Sequence, residues 1–162
     1  MIKNILFGVV IVLFTACSAT INSHNVLPKI EKTQQKSQIS VFKLENYTDT
    51  PRAGKRAANI AQGLLAAKGY HVVNHLDKGA KTLQEVQTIA KADGSKYFLS
   101  GGVSEWRYKT GIDGEPAVSL RLALYKSDDR TLVWSATGSD SAWGISSVGT
   151  LAQTLIEKML QE

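Results

Sequence analysis

The chain has 162 residues, of which 43% are hydrophobic and 20% charged, and its formal net charge is +5. This composition is typical of a globular domain with a real core, and the modest positive charge does not indicate nucleic-acid binding. Because Cys17 is the only cysteine, an internal disulfide and a cysteine-based zinc or redox cluster are both excluded.

The N-terminal stretch has the pattern of a secretory signal. Lys3 gives a positive start, residues 5–14 are almost entirely apolar, and two small residues lead into Cys17. The apolar run is about ten residues, shorter than the roughly 20 that a spanning helix needs. The pattern predicts a lipobox, with a signal peptide over residues 1–16 and a diacylglycerol and palmitate anchor on Cys17, although Phe14 replaces the usual leucine. Two alternatives stay open: a cleaved signal with an unmodified Cys17, or a retained anchor helix.

The residues after the cysteine predict location and a linker. Ser18 stands where an aspartate would retain a Gram-negative lipoprotein in the inner membrane, which favours the outer membrane and its periplasmic face. Residues 17–38 are rich in Ser, Asn, Gln and Lys, which predicts a flexible polar tether that carries the acylated cysteine. A short ordered piece around residues 26–30 stays open, and residues 39–162 are expected to form a single periplasmic domain.

Alternating and apolar runs predict five strands in this domain. They are expected at residues 39–44, 70–74, 97–109, 117–126 and 131–142. Gly101-Gly102 indicates a bulge or a close backbone approach within the third of these. In the last strand, Leu132, Trp134 and Ala136 are expected to face inward.

Amphipathic patterns predict three helices, at residues 51–68, 83–92 and 145–160. Thr50 is the expected N-cap of the first, which ends at Gly69. A capping box begins the second at Thr82, and Ser146 or Ser147 caps the third. The order β-α-β-α-β-β-β-α predicts an α/β (α+β) sandwich, with one mixed sheet of about five strands and helices packed on it.

No constellation of catalytic or metal-binding residues stands out. His71 and His75 flank the second predicted strand and are expected to be exposed residues at its ends. Asp113 and Glu115 lie two apart on a Gly-rich loop, where a carboxylate pair can serve glycoside hydrolysis, but solvated acids are the ordinary expectation. No phosphate-binding loop and no nucleophile elbow occur, so we expect no enzymatic activity, no metal and no cofactor.

Aromatic residues are concentrated near the C-terminus, at Trp106, Tyr108, Trp134 and Trp143. Trp134 lies on the apolar register of its strand and is expected in the core. Trp143 lies in a polar stretch, which predicts a contact with the membrane or a neighbouring subunit; the alternative is a ring folded over the sheet end. Arg107 is a candidate stacked or bridging residue at such an interface, or a solvated strand residue.

Two blocks of the chain resemble the PelC family of outer-membrane lipoproteins. They are NYTDTPRAG at residues 46–54 and EWRYKTGIDGEPAV at residues 105–118, and the W-R-Y-x-x-G-x-x-G-E-P pattern within the second is fairly specific. LVWSATG at residues 132–138, Trp143 and the final amphipathic helix complete a likeness that covers roughly residues 40–160.

The resemblance implies a non-enzymatic lipoprotein that assists export of Pel, a cationic amino-sugar exopolysaccharide of biofilms. Such proteins are similar in fold to curli-secretion lipoproteins and to the TolB amino-terminal domain. They form a homo-oligomeric ring, a dodecamer, on the inner leaflet of the outer membrane beside the porin-like partner PelB. Trp143 matches an exposed aromatic residue that contacts the membrane. An acidic funnel for the polymer is also implied, with five candidates to line it: Asp113, Glu115, Asp128, Asp129 and Asp140.

A second function stays open on the same fold. Some lipoproteins of this kind act as monomers that bind and activate a periplasmic peptidoglycan synthase. A long polar tether favours that function, because such a protein must reach across the periplasm. The oligomeric state separates the two hypotheses.

Overall fold

The computed structural model describes residues 19–28, 38–78, 82–108, 115–142 and 146–161. Its strands are β1 (Thr20–His24), β2 (Gln38–Phe42), β3 (Glu45–Asn46), β4 (His71–His75), β5 (Tyr97–Tyr108), β6 (Pro116–Lys126) and β7 (Leu132–Ser141). Its helices are α1 (Ala53–Ala67), α2 (Leu83–Ala92) and α3 (Val148–Met159).

All the strands belong to one mixed sheet. Their order is β1-β7-β6-β5-β2-β4, with the short β3 beside β5. β2 is parallel to β4 and β5, because α1 and α2 carry the chain back to the end of the sheet at which β2 begins. β5, β6, β7 and β1 pair antiparallel. The predicted sheet-and-helix sandwich is therefore confirmed.

Helices cover both faces of this sheet, but unequally. α1 and α3 pack on one face, where Leu120, Leu122 and Trp134 are fully buried in the larger core. α2 covers part of the other face through a small cluster with Phe98. Burying each large apolar side chain stabilises the fold by about 1.5–3 kcal/mol, so the larger core holds the domain together.

β1 is a correction to the predicted tether over residues 17–38. Thr20 lies opposite Ser139, and the whole strand pairs with β7. Ile21 packs on the larger core, and Leu27 is buried as part of it. Backbone hydrogen bonds hold an edge strand whatever its side chains are, so a segment with one large apolar residue joins the sheet without an alternating pattern.

The helix starts match the prediction in two of three cases. Thr82 forms the predicted capping box of α2, and the Ser147 hydroxyl caps α3. The predicted cap of α1 is wrong: the N-cap is Arg52, in the left-handed region at φ 62°, and it provides no side-chain cap. The Thr50 hydroxyl donates instead to the carbonyl oxygen of Trp106, 2.5 Å away.

The close approach predicted at the β5 glycines is confirmed. A Cβ on Gly102 would lie 2.6 Å from the ring of Tyr47, which packs over the strand there. A separate bulge lies at Ser104, where the register with β6 shifts by one residue. The extra residue keeps Trp106 on the side of the larger core, where it is buried.

In β7, Trp134 and Ala136 are buried as predicted. Leu132 is 38% exposed, so its predicted inward orientation is wrong. Leu124 lies opposite Trp134, but Tyr125 lies opposite Leu132, so the β6–β7 register shifts by one residue here. This shift breaks the in-and-out alternation of β7 between Trp134 and Leu132.

Candidate functional site

Several residues singled out in the sequence meet at one end of the sheet. Arg107 lies opposite Ala117 on β6, and Ala117 lies opposite Ser141 on β7. β1 begins at the same end, because Thr20 pairs with Ser139. We call this the Arg107 end.

A cavity of about 380 Å³ opens at the Arg107 end, between α1, β5 and the start of α3. Its lining residues are Thr50, Arg56, Trp106, Arg107, Tyr108, Val148 and Gly149. The Tyr108 hydroxyl accepts a hydrogen bond from the Val148 backbone N–H at 3.3 Å and so ties the start of α3 to β5.

Two guanidinium groups line this cavity. Arg107 is 56% exposed and pairs through Nη2 with Glu105 Oε1 at 2.8 Å. Arg56 is exposed, and the described part of the chain offers its guanidinium neither a hydrogen-bond acceptor nor a carboxylate partner. The positive end of the α3 dipole points to the same place. The cavity therefore combines apolar walls with a positively charged rim.

The acidic candidates fall into two groups instead of one. Glu115 directly precedes β6, and Asp140 lies near the end of β7, so both are at the Arg107 end. Asp128 and Asp129 lie in the turn between β6 and β7, at the opposite end and about 30 Å away by strand length. Asp113 lies outside the described residues, as do Cys17 and Trp143.

The turn between β6 and β7 holds Asp129 in its ionised form. The backbone N–H of Thr131 donates to Asp129 Oδ1 at 2.8 Å and, with help from the charge of Lys126, holds the pKa of this carboxyl below its ordinary value. Lys126 and Arg130 flank the two aspartates, so the charge of this end is mixed.

His75 corrects the prediction of an exposed histidine. Its side chain is 10% exposed, its Nε2 lies 2.5 Å from Asp93 Oδ2, and its ring stacks on Phe42 with 4.8 Å between centroids. His71 is exposed, as predicted. Sequence gives no signal for the His75–Asp93 contact, because α2 lies between the two residues.

Asp93 is the centre of a polar network that ties the end of α2 to the sheet. Its carboxylate accepts from the Ser40 hydroxyl at 2.9 Å and from the Ser95 backbone N–H at 3.0 Å. Burial by itself would raise the pKa of Asp93, but hydrogen bonds from Ser95, His75 and Ser40 outweigh burial and lower it. The Ser40 hydroxyl also lies 2.8 Å from the Ser95 hydroxyl, so one carboxylate and two serines link β2, β4 and the end of α2.

The described residues show neither a metal site nor a membrane-spanning helix. They contain no cluster of three or more side chains suited to a metal ion. None of the three described helices combines the length and the apolar character that crossing a bilayer requires.

No family model and no curated protein matches the chain, but several solved structures do. The chain is similar to the PelC dodecamer from Paraburkholderia phytofirmans, with a TM-score of 0.76 and 35% identity over 89% of this chain and 96% of that one. A leucine-to-methionine variant of that dodecamer gives 0.75 and 34%, over 88% and 96%.

Lipoprotein GNA1162 from Neisseria meningitidis shares the fold alone, at a TM-score of 0.57 and 18% identity over 68% of this chain and 86% of that one. The match to the Paraburkholderia protein is different in kind, because more than a third of the aligned residues are identical along nearly its whole length. The chain belongs to the PelC family.

Proposed function

We propose that this protein is a non-enzymatic outer-membrane lipoprotein that forms a homo-oligomeric ring at the periplasmic face and assists export of a cationic, Pel-type exopolysaccharide. One observation carries the proposal: 35% identity over 96% of the length of a PelC chain that is described as a dodecamer. A porin-like outer-membrane protein of the PelB type is the partner that would receive the polymer.

The position of β1 supports the orientation of the ring on the membrane. Thr20 lies at the Arg107 end and follows Cys17 by three residues, a reach of at most roughly 11 Å. Ser141, the last residue of β7, also lies at this end, and Trp143 follows it by two residues in the sequence. An acyl chain on Cys17 and the indole of Trp143 would therefore hold the Arg107 end to one leaflet.

In that orientation, the opposite end of the sheet faces the periplasm. Asp128 and Asp129 lie there, and the lowered pKa of Asp129 keeps its charge available to a cationic amino sugar. In a ring these carboxylates recur in every copy, as do Lys126 and Arg130, so a polycation is attracted where the carboxylates and not the two cations face the axis. Asp113, Glu115 and Asp140 would act instead on the membrane side of the passage.

Oligomer mass tests the ring. The full-length protein, extracted in a mild detergent, is expected to sediment as a closed oligomer of many copies. The Cys17→Ser variant should keep that mass if protein contacts hold the ring together. A loss of mass would indicate that clustering of lipid anchors holds the copies together. A monomer at high protein concentration would contradict the ring and favour the alternative, activation of a peptidoglycan synthase.

Membrane contact and export form the second test. In a protein that starts at residue 18, and so lacks both the apolar signal residues and the acylation site, Trp143→Ala should reduce binding to phospholipid vesicles, because neither the signal nor an acyl chain can then replace the indole. In the acylated protein, it should reduce polymer secretion by a strain that lacks the native copy. Leu132→Ala is the matched control, since it removes a partly exposed apolar side chain at the far end of β7. Equal vesicle binding and secretion in both variants would remove Trp143 from the proposal.

A further inference from the structure

We propose that the cavity at the Arg107 end binds the phosphodiester headgroup of an anionic glycerophospholipid, an inference that rests on the proposed function for its orientation toward the membrane. The cavity brings Arg56 of α1 and Arg107 of β5 to one opening beside the N-terminus of α3. Guanidinium groups present a planar fork of N–H donors that matches two phosphate oxygens at once.

The charges favour an outside anion as the missing partner. Glu105 occupies one side of Arg107, so part of that charge is already compensated within the chain. Arg56 is exposed and has no such partner among the described residues, so within this part of the chain its guanidinium faces solvent. One arginine is thus oriented by a carboxylate, and the other is available to a ligand.

Gly149 is a second observation at the same opening. It is the second residue of α3, and a Cβ there would meet only the Ser147 hydroxyl oxygen, at an ordinary 3.7 Å. Its φ is not in the left-handed region, so the backbone conformation does not require glycine at this first-turn position. The N–H groups of Val148 and Thr150 already donate to the Tyr108 and Ser147 hydroxyls, so glycine exposes its own backbone N–H, which an anion can approach from outside.

The volume and walls favour a lipid over a free ion. At about 380 Å³, the cavity lies in the range of small-molecule sites and exceeds the size of one phosphate. Trp106 and Val148 give it apolar walls, which suit a glycerol backbone and the first methylenes of its acyl chains. Free phosphate would leave those walls unused.

The test uses the full-length protein in a non-ionic detergent. It is titrated by calorimetry with monomeric dihexanoyl phosphatidylglycerol, with dihexanoyl phosphatidylcholine and with inorganic phosphate. We expect phosphatidylglycerol to bind most tightly and Arg56→Gln to weaken it by about tenfold or more, the size of a lost charge-assisted hydrogen bond. Gly149→Leu should also weaken binding by filling the opening. Arg121→Gln, which removes an exposed guanidinium on β6 away from the cavity, should leave it unchanged.

The outcomes separate the possible occupants. Inorganic phosphate that binds as tightly as phosphatidylglycerol would overturn the lipid assignment, and binding insensitive to both Arg56→Gln and Gly149→Leu would overturn the site. If Arg56→Gln reduced the oligomer mass and left lipid binding intact, Arg56 would instead pair with an acidic residue of a neighbouring copy. That result would also overturn the proposed lipid site. A monomeric wild-type protein that binds phosphatidylglycerol in an Arg56-dependent way would support the site while contradicting the ring.

Discussion

Two glycines of α1 predict opposite effects on stability for the same substitution. A Cβ on Gly54, in the first turn, would lie 2.0 Å from the carbonyl oxygen of Leu44 and 2.9 Å from its carbonyl carbon. A Cβ on Gly63, in the helix interior, would meet nothing within 4 Å. Alanine therefore produces a backbone collision at one position and fills open space at the other.

The size of each effect follows from these contacts. The atoms nearest to a Cβ on Gly54 are backbone atoms, so the collision cannot be relieved by moving a side chain. α1 must therefore move away from the sheet by about 1 Å, and each van der Waals contact stretched by this amount loses roughly a quarter to a half of its attraction. Ala53 and Ala57 beside it are fully buried, so the retreat opens the larger core. We expect Gly54→Ala to destabilise the fold by about 3 kcal/mol or more, at the upper end of overpacking. Gly63→Ala should stabilise it by about 0.5–1 kcal/mol through helix propensity.

Thermal unfolding followed by circular dichroism measures both effects on the full-length protein in one detergent. At about 2–4 °C per kcal/mol for a chain of this size, Gly54→Ala should lower the midpoint by about 6–12 °C, and Gly63→Ala should raise it by about 1–4 °C. The two sites are about 13 Å apart along the helix, so the double variant should show the sum. A Gly54→Ala midpoint within 1 °C of the parent, or a shift of both variants in one direction, would refute the reasoning.

Two further predictions concern α2 and its junction with the sheet. Because the folded state lowers the pKa of Asp93, its contribution to stability is present above the unfolded value, about 3.9, and is lost as the pH falls through the lower folded value. The thermal unfolding midpoint of Asp93→Asn should therefore differ less between pH 5 and pH 2 than that of the parent protein. An unchanged difference would show that another group causes the loss of stability in acid. Thr82→Ala removes the capping box and should cost about 1 kcal/mol, whereas Thr88→Ala, at an exposed mid-helix hydroxyl, should cost less than about 0.5 kcal/mol. Urea unfolding checks this pair, and equal costs would contradict the role of the cap.

The sequence predicted the features that depend on local chemistry. The Thr82 capping box, the Ser147 cap and the buried Trp134 follow from residue type and spacing, and each is confirmed. β1 could not be predicted in this way, because TINSH contains one large apolar residue and its stability comes from hydrogen bonds to a strand more than 100 residues later. The hydrogen bond from the Thr50 hydroxyl to the Trp106 carbonyl oxygen could not be predicted either, because the two residues lie far apart in the sequence.

The cavity was harder to predict than the fold. Arg107 was singled out for its place between two aromatic residues, whereas Arg56 has an ordinary surface position on an amphipathic helix. The two meet because α1 packs beside β5. The start of α3, which follows β7, closes the third side of the cavity. Such a juxtaposition depends on topology, which spacing along the chain does not encode.

The direction of β1 also has a mechanical consequence. The strand enters the sheet at the Arg107 end, at Thr20, and its hydrogen bonds to β7 lie perpendicular to the strand. A pull on the preceding residues away from that end acts along the strand axis, so it loads all of these bonds in shear at once. Unzipping, in which bonds break one after another, would require a pull across the strand axis, away from β7. The acyl anchor proposed on Cys17 would thus load these hydrogen bonds together when the membrane and the domain move apart.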